Sequence, residues 1–304
     1  KEVHVYHQEL TQEGILQAYK RNRAYEGLKV VVGLDEEGNE VSIDLSEKGQ
    51  GPHCLLAGTT GSGKSLFLMN WILQLALKYS YEQVQFALID FKGGGLVTAF
   101  DNPHFSLPHV RGSLSNLDLN ETERVLIALK KECQLRESLF ITMQQLTNKS
   151  EMNMDIYLAM NEKYHYLPDL AHLMVIVDEF AELKASYPES MDELISLSRI
   201  GRSLGIHLIL CTQKPSGVVN EQIWSNARLK LCLKVGSKSD SQEMIESAEA
   251  FGLRNPGEFY GYYDNQRFYG KAFYPFEAWN KEESQRVIVE KDLQLNIVHQ
   301  RIFD

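Results

Sequence analysis

Hydrophobic positions along this chain fall into two kinds of pattern. Residues 54–57 and 173–177 are unbroken apolar blocks, and 84–89, 206–211 and 229–235 are apolar runs interrupted by Gln85, by His207, and by Lys230 and Lys234. Apolar runs of that length are the signature of strands buried on both faces. Between them, residues 64–79, about 120–146 and 190–204 carry apolar side chains at helical spacing, with Glu, Lys and Arg on the opposite side of the long middle segment. Strand and helix in alternation predict an α/β fold whose central sheet is mostly parallel and flanked by helices. The ends read differently. Residues 28–33 and 40–45 alternate apolar and polar around Asp35-Glu-Glu-Gly-Asn39, and residues 257–263 and 267–273 do so around Asp264-Asn-Gln266. Each pair predicts a β-hairpin. A β-like run at 3–6, a helix within 12–25 and a helix within 275–294 complete the expectation. The chain then divides into an N-terminal extension with a β-hairpin (1–50), a main domain (51–275) and a C-terminal helical linker (276–304). No internal repeat is visible.

Composition narrows the class. Of 304 residues, 43% are apolar and 24% charged, which excludes a collagen-like, low-complexity or largely disordered chain. No apolar run approaches the roughly 20 residues needed to cross a bilayer. The first residues carry no signal-like stretch, so the chain reads as a soluble piece cut from something longer. Cys54, Cys133, Cys211 and Cys232 stand far apart, without metal or redox spacing, and predict buried thiols in a reducing compartment. The 31 basic against 41 acidic residues give a net charge of −10. That balance argues against a broad surface for coating nucleic acid, and leaves room for a local basic patch.

The first candidate for chemistry is Gly58-Thr59-Thr60-Gly61-Ser62-Gly63-Lys64-Ser65, which fits G-x-x-x-x-G-K-[ST] at every fixed position. The glycines let the backbone curl so that successive N–H groups face a phosphate, Lys64 can reach the β/γ-phosphates, and the Ser65 hydroxyl can ligate Mg²⁺. A strand ends just before the motif and a helix begins inside it, so the helix dipole adds to the anion site. Leu66 completes the predicted nucleotide contacts. A second block, Leu173-Met-Val-Ile-Val177, runs into Asp178-Glu179. Asp178 is predicted to hold the metal and Glu179 to polarise the attacking water, which indicates hydrolysis of the bound nucleotide rather than binding alone. Asp90, also at a strand end, is the runner-up metal acid. Gln213, in Cys211-Thr-Gln-Lys-Pro215, is the candidate sensor of the γ-phosphate. Arg202 is the candidate for insertion into a neighbouring subunit's site, with Arg124 and Arg136 as competitors.

Together, Gly51-Pro-His-Cys-Leu-Leu-Ala-Gly58, the phosphate loop, Ile89-Asp-Phe-Lys-Gly-Gly-Gly95, Val177-Asp-Glu-Phe-Ala181, Gly201-Arg-Ser-Leu-Gly-Ile-His207 and Thr212-Gln-Lys-Pro215 resemble the FtsK/SpoIIIE-type ATPases. These are ring-forming, RecA-like motors of the HerA/FtsK class, and the resemblance covers roughly residues 28–274. The Gly51-Pro-His lead-in, Asp90-Phe-Lys92, Leu107-Pro-His-Val-Arg-Gly112 and Ser115-Asn-Leu-Asp118 are most similar to the type VII (ESX/WXG100) secretion ATPases of the EssC/EccC kind. The resemblance implies a RecA-like P-loop fold, ATP with Mg²⁺, and tandem ATPase domains assembling as a hexameric ring. It further implies WXG100-type protein substrates and a place in the cytoplasmic part of a cell-membrane-anchored secretion apparatus. Phe91 stands where DNA-pumping members carry Pro, and one departure is Leu66, where many secretion ATPases carry Glu. The alternatives are a DNA translocase, which the charge of −10 disfavours, and a low-turnover nucleotide-binding docking module.

Overall fold

The computed structural model describes residues 12–91, 93–115, 119–217, 219 and 221–275. The expected strand at 3–6 and the expected linker at 276–304 lie outside the described residues. Helix α1 (Gln12–Arg21) precedes an antiparallel pair, β1 (Lys29–Leu34) and β2 (Glu40–Asp44). Strand β3 (Cys54–Ala57) leads through the Gly-rich turn into α2 (Lys64–Lys78). There follow β4 (Val84–Asp90), α3 (Gly95–Phe100), the short pair β5 (Asp101–Asn102) and β6 (Phe105–Ser106), and β7 (Val110–Leu114). The long α4 (Leu119–Thr147) and α5 (Met154–Tyr164) come before β8 (His172–Asp178), α6 (Phe180–Ser186), α7 (Ser190–Leu204) and β9 (Ile206–Thr212). After α8 (Glu221–Asn226), β10 (Leu229–Cys232) and α9 (Lys238–Ile245), the hairpin β11 (Glu258–Tyr263) and β12 (Gln266–Ala272) closes the described chain.

One sheet takes up nearly all of the strands, in the order β2-β1-β12-β11-β10-β3-β9-β8-β4-β7. Every pairing from β10 to β7 is parallel, and every pairing from β10 to β2 is antiparallel. The expected mostly parallel α/β sheet is therefore present. The apolar runs are explained by position: β3, β8, β9 and β10 are buried at every residue. Their alternate residues feed two cores. Leu56, Met174, Ile176 and Ile209 face Phe67, Trp71 and Ile72 of α2, whereas Leu55, Val175, Leu208 and Leu210 face Phe140, Tyr157 and Leu194 of α4, α5 and α7.

Helix α2 begins at the sheet's carboxyl edge and buries nine of its 15 residues. Phe67 and Trp71 are each 1% exposed. A ring so buried removes roughly 150–250 Å² from water, worth about 4–6 kcal/mol before entropy is counted. Phe67 also meets Phe259 of β11 edge-to-face at 5.0 Å. Phe259 of the closing hairpin thus serves packing, and it braces the helix whose first residue is Lys64. All four cysteines are buried and free. The N-terminal hairpin continues the main sheet, because β1 pairs with β12 at Gly33↔Ala272 and Leu34↔Lys271.

Candidate nucleotide site

In a parallel sheet the carboxyl ends of the strands point the same way, and the turns that leave them share one edge. Here β3, β9 and β8 are adjacent, so residues 58–65, 212–213 and 178–179 meet at that edge. Main-chain bonds shape the turn after β3. Gly58 N–H donates to Thr212 O (3.1 Å), Thr59 N–H to Lys234 O (2.9 Å), and Ser62 N–H to Thr59 O (3.0 Å). Gly63 adopts φ 90°, and a Cβ there would stand 2.6 Å from Gly257 N. Only glycine fits both the left-handed conformation and the contact. No side chain caps the start of α2, and no acid occupies its first turn. Its first N–H groups therefore remain a positive helix terminus facing the loop.

Three charged groups converge beside that terminus. Lys64 Nζ lies 2.5 Å from Asp178 Oδ1 and 3.9 Å from Glu179 Oε2. All three residues are buried, at 6–7% exposure. Burial by itself would lower the Lys64 pKa, but the surrounding negative groups, Asp178 and Glu179 among them, outweigh it and hold it above the usual value. The Glu179 backbone is left-handed (φ 66°, ψ 60°). Strained residues of this kind persist where surrounding structure enforces them, often at working sites. Its carboxylate accepts from Thr212 Oγ1 (3.0 Å, Oε1) and from Gln213 N–H (3.1 Å, Oε2).

The remaining expected residues divide into those near this cluster and those away from it. Gln213 Oε1 accepts from Thr60 Oγ1 at 3.3 Å, joining the β9 turn to the phosphate loop. Ser65 is exposed and Leu66 half-buried in the first turn of α2. Asp90 is buried opposite Asp178 in the β4–β8 pairing, and its Oδ2 accepts from Leu96 N–H at 3.0 Å. It is thereby engaged with the Gly-rich turn. Arg202 lies in the last turn of α7, at the amino-terminal edge of β9, and bonds Glu47 at 2.7 Å. It stands outside its own chain's site. Arg124 is exposed on α4. Arg136 is fully buried, donating to Glu132, Leu204 O and Ala171 O, and has no surface to offer a neighbour. Sequence reasoning passed over Thr212. The available signal was its place as the last residue of a buried strand, directly before Gln213.

Comparison with known proteins adds to this geometry. Residues 14–217 match the FtsK/SpoIIIE family. The chain belongs to that family. It is 41% identical over 262 residues to the type VII secretion system protein EssC of Staphylococcus aureus (strain NCTC 8325 / PS 47), covering 86% of this chain and 17% of EssC. It is 38% identical over 287 residues to the ESX secretion system protein EccC of Geobacillus thermodenitrificans (strain NG80-2), covering 93% of this chain and 18% of EccC. Among solved structures, the cytoplasmic domain of the Thermomonospora curvata type VII secretion ATPase EccC superposes with a TM-score of 0.79 at 27% identity, over 91% of this chain and 32% of that one. The chain thus spans under a fifth of the length of these curated relatives. Family and fold make it a P-loop ATPase domain of the FtsK/SpoIIIE family. Among the described residues, no helix is long and apolar enough to cross a membrane.

Proposed function

We propose that this chain is an ATP-hydrolysing motor domain of a type VII protein secretion ATPase, within the cytoplasmic part of a membrane-anchored protein. The observation that carries the chemistry is the buried meeting of Lys64 with Asp178 and Glu179 beside an uncapped helix terminus. In this reading the turn from Gly58 to Ser65 wraps the phosphates with main-chain N–H groups, and Leu66 N–H belongs to the same helix start. Lys64 neutralises the β- and γ-phosphates. Glu179 takes a proton from the attacking water, Gln213 senses the γ-phosphate through the Thr60 loop, and Arg202 serves a neighbouring copy.

The charge balance of the site suits Mg²⁺. One ammonium faces two carboxylates in a buried cluster, and the available donors are hard oxygens. Among the described residues no three His, Cys, Asp or Glu side chains cluster as a metal cage. That agrees with an ion held by one carboxylate, one hydroxyl and the oxygens of substrate and water. Asp178 and Ser65 would hold it. The ion would supply charge neutralisation at the phosphate oxygens as the bond to ADP breaks.

Neighbouring copies or tandem ATPase domains in a hexameric ring, the membrane secretion apparatus and WXG100-type protein substrates are the proposed partners. The likeness to EssC and EccC supports them, and the net charge of −10 favours protein over DNA as cargo. The test uses the full-length protein. Lys64→Ala is expected to abolish tight ATP binding. Glu179→Gln is expected to bind ATP normally, lower turnover at least 100-fold and stop secretion. Secretion at the wild-type level in Glu179→Gln would refute the motor assignment.

A further inference from the structure

Both oxygens of the Glu179 carboxylate accept hydrogen bonds, and the donors belong to β9 and the turn after it rather than to β8, while Lys64 of α2 stands 3.9 Å from Oε2. Thr212 Oγ1 stands 3.0 Å from Glu179 Oε1 in a buried position. The main-chain N–H of Gln213 reaches both oxygens, at 3.4 and 3.1 Å. The Thr212 hydroxyl has one proton but two acceptors within reach, Glu179 Oε1 and Lys214 O at 3.3 Å, and it accepts from Lys214 N–H at 3.3 Å. Lys214 N–H therefore fixes where the Thr212 oxygen sits, and rotation of one hydroxyl decides whether Glu179 is tethered on that side.

From this geometry we infer that Thr212 is a positioning residue for ATP hydrolysis, setting the orientation of the Glu179 carboxylate through its hydroxyl. The inference rests on Glu179 being the base. In the step concerned, the water oxygen bonds to the γ-phosphorus and the water proton passes to Glu179. The bond from that phosphorus to the bridging oxygen breaks, leaving its electron pair on ADP. A carboxylate with three side-chain torsions aligns the water for in-line attack only if something holds its plane. The Gln213 N–H is shared between both oxygens and does not distinguish them, whereas Thr212 reaches Oε1 alone. The bonds of the Thr212 hydroxyl go to Glu179 and Lys214, so ATP binding does not depend on it. The Thr212 main-chain carbonyl, which receives Gly58 N–H at 3.1 Å, is unchanged by substitution of the side chain.

The experiment compares Thr212→Val, Thr212→Ser and Glu179→Gln in the full-length protein, measuring ATP turnover and ATP binding separately. Valine keeps the shape and removes the hydroxyl. The expected result for Thr212→Val is a kcat lowered about 10- to 100-fold, within the share that a general base supplies, with the dissociation constant for ATP within twofold of wild type. Thr212→Ser restores kcat to within a few-fold. In the Glu179→Gln background, adding Thr212→Val lowers the residual rate no further, because the tethered group is already gone. Wild-type kcat in Thr212→Val overturns the inference, as does an equal loss in the valine and serine variants. Wild-type turnover in Glu179→Gln removes the base assignment itself, and the role of Thr212 with it. Loss in Glu179→Gln with none in Thr212→Val leaves the base standing and refutes only the positioning role.

Discussion

Acid is expected to destabilise the fold by an amount set by two buried imidazoles, one beside β3 and one before β7. His53 lies one residue before β3. Its Nδ1 accepts from Leu208 N–H at 2.9 Å, and its Nε2 therefore donates to Ser198 O at 2.7 Å. His109 donates through Nε2 to Tyr79 O at 2.8 Å, and its Nδ1 is buried without a partner. A second proton would cost His53 its bond from Leu208 and would place an unpaired charge at His109. Burial accordingly lowers both pKa values from the usual 6.5 to about 4. The sign is fixed by which state takes up protons. Below pH 6.5 the unfolded chain binds protons that the folded chain refuses, so stability is intact above that pH and falls as pH drops towards 4. At about 1.4 kcal/mol for each pH unit, the gap of about 2.5 units (6.5 − 4) amounts to about 3.5 kcal/mol for each histidine. His207, lowered well below its usual value by burial and by the adjacent His172, acts in the same direction. Urea unfolding between pH 5 and 6.5 avoids most carboxylate titration and reads the slope. His109→Gln is expected to reduce that slope by up to about 1.4 kcal/mol per pH unit. An unchanged slope in this variant would refute the account.

Two further substitutions test the frame around the site. Gly63→Ala meets both a left-handed φ of 90° and a contact of 2.6 Å with Gly257 N. It is expected to destabilise by at least about 1–2 kcal/mol in urea unfolding and to abolish ATP binding, and a variant that binds ATP normally contradicts the strained-turn account. Arg136→Met removes a buried guanidinium that holds Glu132 and the carbonyls of Leu204 and Ala171. Arg111 keeps Glu132 paired, so a loss of about 2–3 kcal/mol, from the orphaned carbonyls, is expected, and a loss below about 1 kcal/mol would show that the carbonyls find other donors.

The parallel half of the fold was legible because burial on both faces writes itself into the sequence as apolar runs, unbroken at residues 173–177 of β8 and interrupted only by His207 in β9. The phosphate loop was legible because its glycines answer to backbone geometry at fixed spacing. The sheet's antiparallel half was legible only as separate hairpins. Gly33 and Ala272 pair although they stand at opposite ends of the described chain, and no local pattern encodes that meeting. Arg136 illustrates a different blindness. Periodicity placed it on a polar helix face, while the carbonyls that bury it come from α7 and from the residue before β8. Thr212 was invisible for a related reason, since a hydroxyl at a strand end acquires meaning only from the carboxylate that the neighbouring strand brings to it.

The phosphate loop is moored by main-chain atoms: Thr212 O receives Gly58 N–H, Lys234 O receives Thr59 N–H, and Gly257 N–H donates to Ser62 O. Each of these ties is made by a main-chain atom of the mooring residue, not by its side chain. Lys234, for one, is exposed to solvent. At Lys234 the rim beside the nucleotide can therefore drift in charge and size over evolutionary time, adapting to whatever neighbour or cargo approaches, while the loop itself keeps its shape.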